Sequence, residues 1–119
     1  MSNPALAYTQ PDVETHLVMV LSALPGVKVW VEDVEYKYPF WSCNYTVVMT
    51  ARAGSKQAAS DVAQDAHDLL IASRNDQWDD GVLLGVIALA APAWAPDQNG
   101  APKYAGRYQV VARPKGNTP

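Results

Sequence analysis

Several things are scarce in this sequence, and each scarcity excludes a class of protein. Cys43 is the single cysteine in 119 residues. No internal disulfide can form, so a disulfide-stapled secreted scaffold is ruled out. Charged residues make up only 18% of the chain, below the usual quarter. On a small chain with much surface per volume, that shortfall predicts surface covered by other subunits. Basic clusters are missing as well. The nine Lys and Arg are scattered among twelve Asp and Glu, for a net charge of −3. A grip on a phosphate backbone needs a clustered positive footprint, so specific nucleic-acid binding is not expected. The opening stretch MSNPALAYTQPD has no basic run ahead of an apolar core, and no secretory leader is expected. The longest apolar run, Val82–Trp94, is too short for a bilayer-crossing helix. A soluble protein made in a cytosol, without a membrane partner, is the expectation.

What is present reads as one α+β domain over residues 1–119, with a loose lead-in at 1–10 and a mobile polar tail at 115–119. A chain of this length can bury a core without metal or disulfide staples. Val13, Leu17, Val20, Leu21 and Leu24 fall on one helical stripe. Pro11 and Asp12 suit its start, and Pro25-Gly26 its stop. Val27–Val31 alternates as a strand. The apolar phase then moves from odd positions to Val34, Tyr36 and Tyr38. One regular strand cannot put both sets on one face. The shift predicts either a bulge near Glu32-Asp33 or a chain that leaves the sheet there. Pro39 to Ser42 reads as a reversal, and Cys43–Ala53 as the returning strand, with Tyr45, Val47, Met49 and Ala51 on one face.

Ser55 is a candidate N-cap for a second helix over 56–73, whose buried stripe is Ala59, Val62, Ala63, Ala66, Leu69 and Leu70. Arg74–Gly81 reads as a polar loop. Val82–Ala91 reads as a central strand buried on both faces. A Pro-rich turn follows, and Lys103–Arg113 alternates again with Tyr104, Gly106, Tyr108, Val110 and Ala112 on one side. The order α-ββ-α-ββ predicts a two-layer α+β sandwich: a four-stranded, mostly antiparallel sheet with both helices on one face. Trp30, Val48, Leu83, Ile87, Leu89 and Val111 are candidates, depending on register, for an apolar patch on the other face. Such a patch marks a contact surface.

Chemistry-bearing patterns are sparse. His16 and His67 sit on different helices, with no His or Cys at the spacing a metal site needs. Cys43 has no local signature of an activated nucleophile. G-x-S-x-G, Walker-type and G-x-G-x-x-G loops are absent. Neither catalytic, cofactor nor metal residues are expected, and an enzyme is not the favoured reading. Asp61, Asp65 and Asp68 share one helical face, which reads first as a solvated face and second as an acidic surface directed at a channel or a basic partner. The segment EYKYPFWSCNY concentrates Tyr36, Tyr38, Phe40, Trp41 and Tyr45. Base stacking would pair such rings with a basic groove, and only Lys37 lies nearby. Burial in the monomer core and burial against a neighbouring protein remain, and they are compatible. Trp and Tyr are favoured interface anchors, so protein-to-protein burial is the preferred account.

The segment APAWAPDQNGAPKYAGRYQVVARP carries a resemblance. A Pro-x-Trp-x-Pro-Asp turn leads through Gly-x-Pro-Lys-Tyr into a last alternating strand that ends in Val-x-Ala-Arg-Pro. This resembles the closing motif of tail terminator proteins of long-tailed bacteriophages. The motif-like part is residues 92–114, and element order is similar over 11–114. The resemblance implies a non-enzymatic virion protein that forms a ring, typically of six, at the head-proximal end of the tail tube. There it would stop tube polymerisation and meet a head-side connector, while DNA passes through the lumen unbound. The acid-rich helix and the YKYPFW cluster are not part of that motif; read beside it, Tyr36, Tyr38, Phe40, Trp41, Trp94 and Tyr104 are subunit-interface candidates, and Asp61, Asp65 and Asp68 are lumen-facing candidates. Alternatives are a head-to-tail stopper or adaptor of the neck, and a small α+β enzyme or ligand-binding domain using Cys43, His16 or His67.

Overall fold

The computed structural model describes residues 11–37 and 42–114, with the side chains of Tyr36 and Lys37 left undescribed. The expectations for residues 1–10, for the reversal at Pro39 and for the tail at 115–119 lie outside these residues. The chain runs α1 (Val13–Val20), β1 (Val27–Lys37), β2 (Ser42–Arg52), α2 (Lys56–Ala72), β3 (Gln77–Trp78), β4 (Gly81–Trp94) and β5 (Lys103–Pro114). The strands form one antiparallel sheet in the order β1-β2-β5-β4-β3. The α+β class stands. The expected four-stranded sheet of a two-layer sandwich differs in detail: among the described residues there are five strands, and the sheet curls.

The helix starts follow the sequence. Asp12 caps α1 by accepting from the Thr15 amide at 3.0 Å, and the Thr15 hydroxyl donates back at 2.7 Å. Ser55 caps α2 by accepting from the Ala58 amide at 3.1 Å. The first helix is shorter than its apolar stripe, because residues 21–26 leave it as turns. Leu21 still reaches the core from there. Gly26 has φ +75°, and a Cβ at that position would collide with the Arg52 carbonyl. That carbonyl side of the hairpin is tight because the Arg52 amide donates to the Gly26 carbonyl at 3.0 Å.

The phase shift in β1 is a bulge. Val31 pairs with Val47, but Asp33 pairs with Thr46, so one residue is extra. The insertion returns Val34 to the same face as Val27, Val29 and Val31. On β2, Cys43, Tyr45, Val47, Met49 and Ala51 face the core, and on β5 so do Tyr108, Val110 and Ala112. These join Val13, Leu17 and Leu21 from the first helical segment and Ala63, Ala66 and Leu70 from α2 in a single cluster. Leu69, expected in the buried stripe, is exposed.

β4 departs most from expectation. It lies outside β5, and β3 covers it only at Gly81 and Val82. Leu83 is held just beyond, by bonds to the Asp76 carbonyl at 2.9 Å and from the Asn75 amide at 3.0 Å. Past that point β4 is, among the described residues, an edge strand rather than a central one. Register shifts follow Leu83, Ala88 and Ala90.

Candidate subunit interface

The expected interface residues do not form one patch. Tyr36 pairs through Cys43 and Ala112 to Leu83, whereas Val27 pairs through Ala51 and Tyr104 to Trp94. Nine residues of strand separate those two lines, about 30 Å. Tyr38, Phe40 and Trp41 lie outside the described residues. Trp94 and Tyr104 stand at the end opposite Tyr36. Trp94 is 41% exposed. Its ring meets Tyr104 edge-on at 5.6 Å, and Lys56 Nζ lies 4.9 Å from its centroid.

A polar clasp closes that end. Asp97 accepts from Arg52 Nε at 2.9 Å and Nη2 at 3.1 Å, and pairs with Lys103 Nζ at 3.1 Å. These hydrogen bonds, that from Arg52 first, pull the Asp97 carboxyl down to about 2. The same pair raises Arg52. The Pro-Asp step of the motif thus ties the β4–β5 turn to the end of β2.

The face of the sheet without helices is mixed. Trp30 pairs with Val48, which pairs with Arg107; Ile87 pairs with Gln109, which pairs with Thr46. Arg107 Nη2 meets Glu32 at 2.7 Å and 2.9 Å. Leu83, one of the patch candidates, is fully buried in the core, because its partner Ala112 faces the helices. The remaining candidates are broken up by these polar neighbours. Leu84, Ile87, Leu89 and Trp94 are exposed along the β4 edge, while Val18, Met19, Trp30 and Leu69 are exposed elsewhere. No charged residue occurs between Gly81 and Pro96. A second apolar feature borders the opposite edge strand, β1. It is a groove of about 360 Å³ between Val18, Leu21 and Leu24 on one side and Val27, Val29 and Trp30 on the other.

The groups an enzyme would use are engaged. The Cys43 thiol is buried, and burial pushes it up. His16 is buried, with Nε2 3.0 Å from Asp76 and its ring stacked on Trp78 at 4.3 Å. His67 Nδ1 lies 2.8 Å from Tyr108 Oη. Among the described residues, no three His, Cys, Asp or Glu are grouped to hold a metal ion, and no helix is long and apolar enough to cross a membrane. Asp61, Asp65 and Asp68 are all exposed on α2; Asp61 accepts from Gln57 and Asp68 from Gln64.

His16 and the β4 edge are the features that sequence reasoning missed. His16 precedes Leu17 on the stripe and gave no sign of its distant partner Asp76. The β4 edge could have been found from the absence of charge over so many residues, once β3 was known to be short. Comparison with protein-family models and with curated proteins returns no match.

Proposed function

We propose that this chain is a structural virion protein that forms a ring, of six subunits, at the head-proximal end of a phage tail tube. It ends tube polymerisation and presents a surface to the head-side connector. The observation that carries this reading is the β4 edge, a long uncharged strand with Leu84, Ile87, Leu89 and Trp94 exposed along it. Natural monomers blunt such edges with charge or cover, because they template association. On β4 charge is missing, and blunting is left to Pro92 and the register shifts after Leu83, Ala88 and Ala90. The motif over 92–114 supports the same reading, and so does the engagement of Cys43, His16 and His67 in packing and pairing.

A closed ring uses two different surfaces on each subunit. The two free edges of one sheet are two such surfaces. The Trp94–Tyr104 pair, at one end of the sheet, and the aromatic residues Tyr36, Tyr38, Phe40 and Trp41 then suit contacts to the tube and to the connector. The acidic face of α2, with Asp61, Asp65 and Asp68, is the proposed lumen lining. Negative charge there repels DNA and lets it pass.

The test is to add the purified protein to growing tail tubes and image them. Rings on one end of tubes of arrested length support the terminator. Binding to the connector but not to the tube would favour the neck stopper. A stable monomer that joins neither, and loses an activity in Cys43→Ser, would overturn both.

A further inference from the structure

We propose that neighbouring copies join by strand pairing, β4 of one copy adding to β1 of the next to make a continuous antiparallel sheet. The inference rests on the self-assembly proposed above, though not on what the ring caps.

The hydrogen-bond phase of every strand can be followed across the sheet. The Arg52 amide donates to Gly26, so even positions at the start of β1 face β2. Val27 and Val29 therefore point their amides and carbonyls outward. Val31 does too, and its amide is taken by Glu14 Oε1 at 2.9 Å. On β2 the odd residues face β5, which leaves the odd residues of β5 facing β4. Their partners Gly85 and Ile87 point inward, so Val86 and Ala88 point outward. Among the described residues no strand meets either outward set.

Each open window is bounded, and the two have the same length. On β1 it runs from Val27 to Trp30, between the turn at Gly26 and the Glu14 cap on Val31. On β4 it runs from Gly85 to Ala88, between the bonds at Leu83 and the bulge after Ala88. Strand polarity also fits. Four antiparallel neighbours in the order β1-β2-β5-β4 leave β4 running opposite to β1, so a head-to-tail copy presents an antiparallel partner. Setting Val27 against Ala88 and Val29 against Val86 keeps like faces together. Trp30 then lies across Gly85, where a Cβ would meet nothing within 4 Å, and diagonal to the exposed Ile87. On the helix side Val86 and Ala88 close over the groove beside Val18 and Leu21. This register staggers successive subunits along the strand direction, as a closed sheet requires.

Hydrogen exchange of the wild-type protein reads the pairing directly. The amides of Val27, Val29, Val86 and Ala88 are expected to slow by about tenfold or more between dilute monomer and assembly, from the added hydrogen bonds. Exchange at these four amides that stays at the monomer rate in the assembled protein overturns the pairing and leaves the ring reading standing. The variant Ala88→Pro removes an amide that β5 does not use, so the monomer should melt as wild type. Its assembly should need about tenfold more protein. Should Ala88→Pro fail to fold, Ile87→Lys, at a side chain already 57% exposed, carries the same expectation. Full assembly of Ile87→Lys at wild-type concentration counts against the proposal. A wild-type chain that assembles neither alone nor on tubes overturns this inference and the function together.

Discussion

Tyr108 shows how a single side chain organises the layer under α2. It is fully buried, yet its hydroxyl reaches His67 Nδ1. Burial, and next the charge of Asp68, push its phenol up to about 12, so the phenol keeps its proton, and it shares a 2.8 Å hydrogen bond with His67 whose direction is set by the ring tautomer. The ring finds room because residue 106 is glycine: a Cβ there would sit 3.2 Å from the ring edge and from the hydroxyl. Gly106→Ala must displace the ring and is expected to cost about 1–3 kcal/mol in denaturant unfolding. Tyr108→Phe loses the bond to His67, about 1 kcal/mol. The pH dependence has a definite sign. A folded value above the ordinary 10.0 means the stabilisation is complete below pH 10 and is lost as pH rises towards 12. Tyr108→Phe should lack that alkaline loss in a melting-temperature series. Asp97 gives the opposite case. Its folded value of about 2 lies below the ordinary 3.8, so its stabilisation is present above pH 4 and disappears between pH 4 and pH 2. Asp97→Asn should show a flatter acid limb there, and loosening of the β4–β5 turn at every pH.

At the scale of elements, local rules carried far. The helix start at Pro11-Asp12, the cap at Ser55, the alternation of β2 and β5, and the buried Ala59, Ala63, Ala66 and Leu70 of α2 were legible, because each depends on neighbours a few residues apart. The choice between a bulge and an exit in β1 was not. It turns on whether Asp33 finds Thr46, a contact across the hairpin. The misreading of β4 has a similar cause. A charge-free run looks the same whether it is buried on both faces or left at an edge, and only the two-residue length of β3 decides. The same blindness put Leu83 in the outer patch, because its face depends on Ala112. As for the interface candidates, sequence proximity grouped Tyr36 with its aromatic neighbours, while register sets Trp94 and Tyr104 about 30 Å away from Tyr36. Leu70→Ala, in a helix position with no exposure, is expected to cost about 2–5 kcal/mol. Trp41→Ala with Tyr38→Ala is expected to weaken tube or connector binding with helix content unchanged by circular dichroism. Loss of helix signal would place those rings in the core.

The whole molecule is longer than a compact chain of its size. Its radius of gyration is 15.9 Å and its extents are 56 × 23 × 20 Å, against about 13.5 Å for the radius of a compact domain. A thin, two-edged body of this kind hides more surface in company than alone. One edge offers free amides beside an apolar groove, and the other offers free amides beside Ile87 and Leu84. On the proposed function, copies of the same chain complete these edges. Native mass measurement of the purified protein, alone and after incubation with tail tubes, tests it most directly. A closed oligomer at a whole multiple of the 12.9 kDa chain, six-fold on the reading above, is the expected result. A species of one chain's mass under both conditions would contradict it.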